Sequence, residues 1–341
     1  MEFQQGSLPG AVNLPLMNDD ERAAVGTTYK KSGREAAIQL GHELVSGPVK
    51  ETRIEAWLEQ IRQKPETVLY CFRGGLRSQI SQQWLKERGV NRPLIEGGFK
   101  KVRQFLRDEI EQFSARHEFL LLTGPTGSAK THILNQANFY PNVDLEALAC
   151  HRGSAFGASD RPQPSQVDFE NRLAVELMRI ESRCQTQKPL FEDESRMIGR
   201  SVLPESFFNR MRESAVILVE ESFERRVENI FTDYVLNTAI AKGPEAVALQ
   251  LFAKYRTAVQ AISRKLGGLK TQEVLQELAI SEKNYREGQG LESNKAWIAP
   301  LLHSYYDPLY SRSFEKREPK ILFRGRGPEV VEFLRNFRAG C

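Results

Sequence analysis

The apolar run Glu118-Phe119-Leu120-Leu121-Leu122 passes directly into Gly124-Pro125-Thr126-Gly127-Ser128-Ala129-Lys130-Thr131. A buried strand, a glycine-containing turn and a following helical stretch make up a phosphate-binding loop. They commit this part of the chain to an α/β fold with a parallel sheet. Gly124 and Gly127 permit the tight turn, Ser128 lies inside it, Lys130 can reach terminal phosphates, and the Thr131 hydroxyl is placed to hold Mg²⁺. The usual pattern has glycine where this chain has Ala129, so a Cβ stands where backbone normally crowds the phosphates. Phosphate binding is expected from this loop, and nucleoside triphosphate hydrolysis is not.

A partner carboxylate for such a loop belongs at the end of another strand. Glu192-Asp193-Glu194, after Leu190-Phe191, has that position, with Asp193 and Thr131 as the candidate metal contacts and Arg196 shortly after. His151, Arg152 and Ser154 form a polar glycine turn between these two elements and are a candidate substrate loop. Further strands are expected at Pro189–Phe191, Ala215–Val219 and Lys320–Phe323, and residues 222–310 read as helical, with breaks at Gly243-Pro244, Gly267-Gly268 and Gly288–Gly290. The aromatic run from Tyr305 to Tyr310 reads as helix-end packing.

A second chemical signature lies upstream, at Cys71-Phe72-Arg73-Gly74-Gly75-Leu76-Arg77-Ser78. Val68-Leu69-Tyr70 reads as a short strand ending at the cysteine, with a helix after it. Pro93-Leu94-Ile95 reads as the next strand, and Phe99, Val102, Leu106, Ile110 and Phe113 mark another helix. A cysteine between a strand and a helix N-terminus is surrounded by N–H groups that favour its thiolate. Gly74 and Gly75 let the loop curl into an anion nest, to which Arg73 and Arg77 add charge.

Composition limits the partners. From Cys71 to Arg107 nine Lys/Arg face only Glu87 and Glu96, so a polyanion such as RNA would be drawn there; Lys100, Lys101 and Arg103 are the candidate contacts to it. No apolar run approaches the ~20 residues needed to span a membrane. The first residues lack a signal-peptide pattern, and the four cysteines show no paired spacing. A cytoplasmic protein is expected, with Cys150 and Cys184 as structural thiols. The division falls into residues 1–115 and 116–341, the latter with a helical insertion at about 222–310.

The cysteine loop, together with Gly6-Ser7-Leu8-Pro9-Gly10-Ala11-Val12-Asn13-Leu14-Pro15, resembles a rhodanese domain. Its first strand, with an Asp-x-Arg motif, is not found ahead of Glu2-Phe3. A rhodanese-like module followed by a phosphate-loop domain carrying Asp144-Leu145-Glu146, His151-Arg152-Gly153-Ser154-Ala155-Phe156-Gly157 and Glu192-Asp193-Glu194-Ser195-Arg196 resembles the bacterial tRNA 2-selenouridine synthase family. The resemblance implies a transferase that acts on the anticodon arm of tRNA. Wobble 2-thiouridine would be S-geranylated from geranyl diphosphate, and selenophosphate would then replace sulfur by selenium. No permanent cofactor is implied, although Mg²⁺ is a candidate at the phosphate loop. Cys71 would be the rhodanese-domain catalytic cysteine, attacking selenium, releasing phosphate and carrying a perselenide. The competing readings are a rhodanese-type sulfurtransferase coupled to a phosphate-loop ATPase or kinase, and a non-catalytic RNA-binding protein.

Overall fold

The computed structural model describes residues 2–157, 161–183, 187–244 and 250–337, so Cys184 and Cys341 lie outside the described residues. Backbone contacts divide the chain into two units: residues 1–109 with 170–172, and residues 110–169 with 173–341.

The first unit is built mainly from helices. Asp19–Leu44 opens on a reciprocal cap, in which Glu21 N–H donates to Asn18 Oδ1 and Asn18 N–H to Glu21 Oε2. Gly47–Gln63 buries Ile54, Trp57 and Ile61, the face that its apolar spacing predicts. Trp57 stacks on Trp84 of Leu76–Glu87 at 6.1 Å, and its indole N–H donates to Leu14 O at 3.0 Å. The two expected strands shrink to one parallel bridge, Leu69 with Leu94, made by Leu69 N–H to Pro93 O and Ile95 N–H to Leu69 O, both at 2.9 Å. Gly97 and Gly98 turn the chain out of the second segment immediately after Ile95, so the ladder stops after one pair.

The second unit is α/β with a parallel five-stranded sheet. Its strands are β1 (Leu120–Thr123), β2 (Asn142–Val143), β3 (Leu190–Glu192), β6 (Ala215–Val219) and β7 (Ile321–Gly325), in spatial order β2-β3-β1-β6-β7. A small hairpin, β4 (Met197–Ile198) with β5 (Ser201–Val202), stands apart from it. Leu121 pairs with Phe191 and with Val216, so the central strand is flanked on both sides and reads as a continuous apolar run. One face of the sheet packs Leu120, Leu122, Ile217 and Val219 against Ile133, Leu134 and Val330. Beyond Leu121, the rings of Phe119, Phe191 and Phe207 meet at 4.8 to 5.1 Å. Each ring buried there contributes about 2 to 3 kcal/mol.

A separate apolar core holds the helical region. Phe231, Phe252, Tyr255, Val259, Leu278 and Trp297 belong to it. The expected glycine breaks are present: Gly243, Gly267, Gly288 and Gly290 all have positive φ. Two stretches of this region, Phe231–Leu236 and Leu302–Tyr306, are wound as π-helix. The second of them ends on Tyr305 and Tyr306, where the sequence suggests ordinary helix-end packing.

Arg226, with its side chain only 5% exposed, pairs with both oxygens of Asp307 at 2.7 to 2.9 Å. Removing one member leaves the other charge buried and alone. Asp307→Ala is therefore expected to lower the stability of the second unit by about 3 kcal/mol. Urea unfolding followed by circular dichroism checks this, and a loss below 1 kcal/mol would show that water replaces the carboxylate.

Candidate functional site

In the second unit the site stands at the carboxyl ends of β1 and β3, where ligands of open parallel sheets bind. Gly127 has φ +87, and a Cβ there would stand 2.7 Å from Arg226 O, so only glycine lets the loop pass. Asn229 Nδ2 donates to Gly127 O at 2.8 Å and fixes the turn from below. Lys130 Nζ donates to Gly124 O at 2.9 Å, which folds the lysine over its own loop. The Ser128 hydroxyl is buried without a hydrogen-bond partner. Ala129 has φ 59 and ψ 32, the left-handed region, and it leads directly into the helix Lys130–Gln136, where Thr131 is half-buried. That backbone costs a non-glycine residue about 1 to 2 kcal/mol. The loop keeps the shape that glycine normally supplies.

The carboxylates sort themselves into two groups. Asp193 turns away from the loop: Oδ2 accepts from Thr123 Oγ1 at 2.8 Å and Oδ1 from the buried Arg317 at 2.6 Å. Both oxygens of Asp193 are thus engaged within the protein. Among the described residues, no group of three or more His, Cys, Asp or Glu is arranged to hold a metal ion. Glu192 and Glu194 instead share a cluster with Glu146, Asp144 and Lys130. Burial, and then the charge of Glu146, push the carboxyls of Glu192 and Glu194 up to about 8. Burial also raises Glu146, against the N–H of Gly153 that donates to its Oε1. A side chain at Gly153 would run into Glu194 Oε2 and Glu146 Oε1, so the missing Cβ is what lets these acids meet. Glu192 Oε1 is buried with no partner.

The candidate substrate loop closes on itself through Arg152 N–H to Gly157 O and Gly157 N–H to Ser154 O, both at 2.9 Å. Arg152 lies over the Tyr234 ring at 4.8 Å, and Ser154 Oγ is 3.3 Å from Tyr234 Oη. Burial holds His151 below the usual imidazole range. Arg196 is exposed in the turn that leads to β4. Glu146, Asn229, Arg226 and Tyr234 were not singled out from the sequence as site residues. Only Glu146 had a signal there, in the Asp144-Leu145-Glu146 motif.

In the first unit, Ser78 Oγ is 3.3 Å from Cys71 Sγ and 3.0 Å from Gly75 O. Burial pushes the Cys71 thiol up. Hydrogen bonds from the Ser78 hydroxyl and from the N–H groups of Ser78, Arg73 and Gly75 outweigh it, and the net shift is downward. The charges of Arg73 and Arg77 are not what lowers it. Arg73 is exposed and acts through its backbone, while Arg77 is paired with Glu2 at 2.6 Å. Gly74 and Gly98 have positive φ, and a Cβ on Gly98 would strike Cys71 O, so the loop and the start of the helix Gly98–Arg116 are in backbone contact. Phe99 N–H donates to Cys71 O at 2.9 Å and Lys100 N–H to Phe72 O at 3.0 Å. A cleft of about 1060 Å³ opens beside Cys71, between Leu8, Leu14, Tyr70 and Phe99. Lys100 and Lys101 are exposed, with Lys101 3.6 Å from Glu96, whereas Arg103 is largely buried against Glu170 and Asn171.

A phosphate-loop α/β unit joined to a unit with a nested thiol defines the class of protein. The family model for the tRNA 2-selenouridine synthase AAA domain matches residues 117–340. A tRNA 2-selenouridine synthase of Bdellovibrio bacteriovorus is 53% identical, with 98% of this chain and 92% of the relative covered. Proteins of the same name from Nitrosomonas eutropha and Nitrosomonas europaea are 50% and 49% identical over the same shares. No solved structure matches the chain. The chain belongs to the tRNA 2-selenouridine synthase family. Among the described residues, no helix is long and apolar enough to cross a membrane.

Removing the hydroxyl in Ser78→Ala takes away a donor to the Cys71 thiolate. The midpoint of Cys71 alkylation by iodoacetamide against pH is expected to move upward, and an unmoved midpoint would mean that the backbone N–H groups suffice. The acids supply a second test. Glu192 and Glu194 hold protons up to about pH 8 when folded, against 4.5 for an ordinary glutamate. The folded state therefore binds more protons than the unfolded chain between about pH 4.5 and 8, and stability falls as pH rises through that window. Glu192→Gln is expected to flatten this fall and to melt higher than the parent at pH 8.5. Parallel melting curves across pH 5 to 9 would contradict it.

Proposed function

We propose that the protein converts wobble 2-thiouridine of tRNA to 2-selenouridine through an S-geranylated intermediate, using geranyl diphosphate and selenophosphate. The observation that carries this reading is that one chain of this family holds two anion-binding devices, the phosphate loop with Lys130 and the N–H nest around a thiol of lowered pKa. In the first step the thiouridine sulfur attacks C1 of the geranyl group, the C1–O bond breaks, and the N3 proton is released. The loop N–H groups and Lys130 stabilise the charge that grows on the leaving diphosphate. This requires no γ-phosphate, so the altered loop at Ala129 is compatible with it.

In the second step the Cys71 thiolate attacks C2 and geranylthiolate leaves, selenium of selenophosphate then displaces the Cys71 thiolate from C2, and water cleaves the selenium–phosphorus bond to give phosphate. This order replaces the perselenide expected from the sequence. Thiolate attack on selenium would expel phosphorus with the bonding pair, giving phosphite rather than phosphate. We place the selenophosphate in the Cys71 nest, held by the N–H groups of Arg73, Gly75 and Ser78. The Cys71 thiolate is the nucleophile available to displace geranylthiolate from C2 and then to leave as selenium arrives. The exposed Lys100 and Lys101 are the proposed contacts to the tRNA backbone, and a cytoplasmic location follows from a tRNA substrate.

The test is nucleoside mass spectrometry of 2-thiouridine tRNA incubated with protein, geranyl diphosphate and selenophosphate. Lys130→Ala is expected to reduce S-geranyl-2-thiouridine at least about tenfold, as loss of a charge-assisted phosphate contact requires. Cys71→Ser is expected to leave that product and abolish 2-selenouridine. No geranylated nucleoside from the parent protein would overturn the first step, and full selenation by Cys71→Ser would remove the thiol from the second.

A further inference from the structure

Thr126, inside the phosphate loop, is also part of the wall of an apolar cavity of about 30 Å³. Phe156, Tyr234, Trp297, Leu301 and Tyr306 form most of the remaining wall. Two π-helical stretches meet at it, since Tyr234 comes from Phe231–Leu236 and Tyr306 from Leu302–Tyr306. Such turns are rare and recur at functional sites. Trp297 is 2% exposed and locked in orientation by its indole N–H, which donates to Asn294 Oδ1 at 2.8 Å. It stacks on Phe156 at 5.7 Å and packs on Tyr255 at 5.1 Å. Tyr255 is buried against it and is no part of the cavity wall, so Trp297 stands between the cavity and that ring.

An anion-binding loop beside an apolar, aromatic wall suits an amphiphile with a phosphate head and a hydrocarbon tail. A nucleoside would instead bring base edges that need hydrogen bonds, and Ser154 and Tyr234 already engage each other. The space as it stands is worth about two waters. A prenyl tail must therefore move the walls, two of which are the π-helical stretches. We propose that this cavity binds the tail of the diphosphate held at the phosphate loop, and that Trp297 limits the length of tail accepted. The proposal rests on the prenyl-transfer reading above.

Calorimetric titration of the full chain with inorganic pyrophosphate and with dimethylallyl, geranyl and farnesyl diphosphates tests it. Geranyl diphosphate is expected to bind at least tenfold tighter than pyrophosphate and to change tryptophan fluorescence, whereas pyrophosphate does not; the change should vanish in Trp297→Phe. In Trp297→Leu, which opens the wall toward Tyr255, the preference for geranyl over farnesyl diphosphate should shift toward farnesyl at least tenfold. Equal affinity of the parent for pyrophosphate and geranyl diphosphate would overturn the tail site, even if both variants failed to fold. A variant that still binds pyrophosphate but keeps the parental chain-length ratio would overturn the role of Trp297. Tight, tail-dependent binding without geranyl transfer to tRNA would leave the cavity assigned and defeat the reaction.

Discussion

The ion pair between Arg226 and Asp307 joins the helix Phe223–Ile230, which touches the phosphate loop, to the helix Asp307–Arg317. A buried guanidinium is tolerated only when its fork is satisfied, and here both terminal nitrogens reach the carboxylate while the Phe223 ring lies 5.6 Å from the guanidinium carbon. With that charge settled, the helix Phe223–Ile230 can run beneath the phosphate loop, where Arg226 O leaves room only for Gly127 and Asn229 ties down its carbonyl. The same helix continues into the π-helical stretch that carries Tyr234. Asp307 starts the helix that follows the other one, which carries Tyr306. One charge pair thus links the segments that carry both aromatic walls.

Three glutamates beside Lys130 pose a charge problem for the diphosphate of the proposed reaction. Three carboxylates next to Lys130 would repel a diphosphate unless a cation or protons neutralised them. The raised carboxyls of Glu192 and Glu194, at about 8, answer it with protons, because near neutral pH they are mostly uncharged and able to donate hydrogen bonds. An arriving diphosphate strengthens the effect, since a further negative charge favours the protonated form. Glu192 Oε1 and the Ser128 hydroxyl are among the buried polar atoms without a hydrogen-bond partner.

The sheet was legible because its strands are continuous apolar runs next to turn residues. Ala215–Val219 matches the expected strand residue for residue, and the phosphate loop follows β1 as its glycines require. β2 was missed because two residues, Asn142 and Val143, carry no periodicity. The strands near Cys71 were overread, because an apolar triplet signals burial but not a partner on its other side. At the site, the motif order points to Asp193, the residue just beyond β3. With Asp193 drawn to Thr123 and Arg317, its neighbours Glu192 and Glu194 face the cluster with Lys130. Arg226 and Asp307 are 81 residues apart, and no local pattern announces such a pair.

The two units adjust protons in opposite directions. The Cys71 nest uses N–H donors and a hydroxyl to hold a thiol below its ordinary value, which favours the charged form of the nucleophile. The phosphate loop uses burial and mutual repulsion to hold carboxyls above theirs, so that the lining is uncharged. Within the proposed reaction each choice matches its step. Prenyl transfer needs a pocket that does not compete with the diphosphate for Lys130, and displacement of geranylthiolate needs a thiolate. Raising the pH toward 8 and beyond strips protons from the glutamates, whereas for Cys71 it only favours the thiolate. The first step therefore loses its electrostatic fit under conditions that leave the second intact.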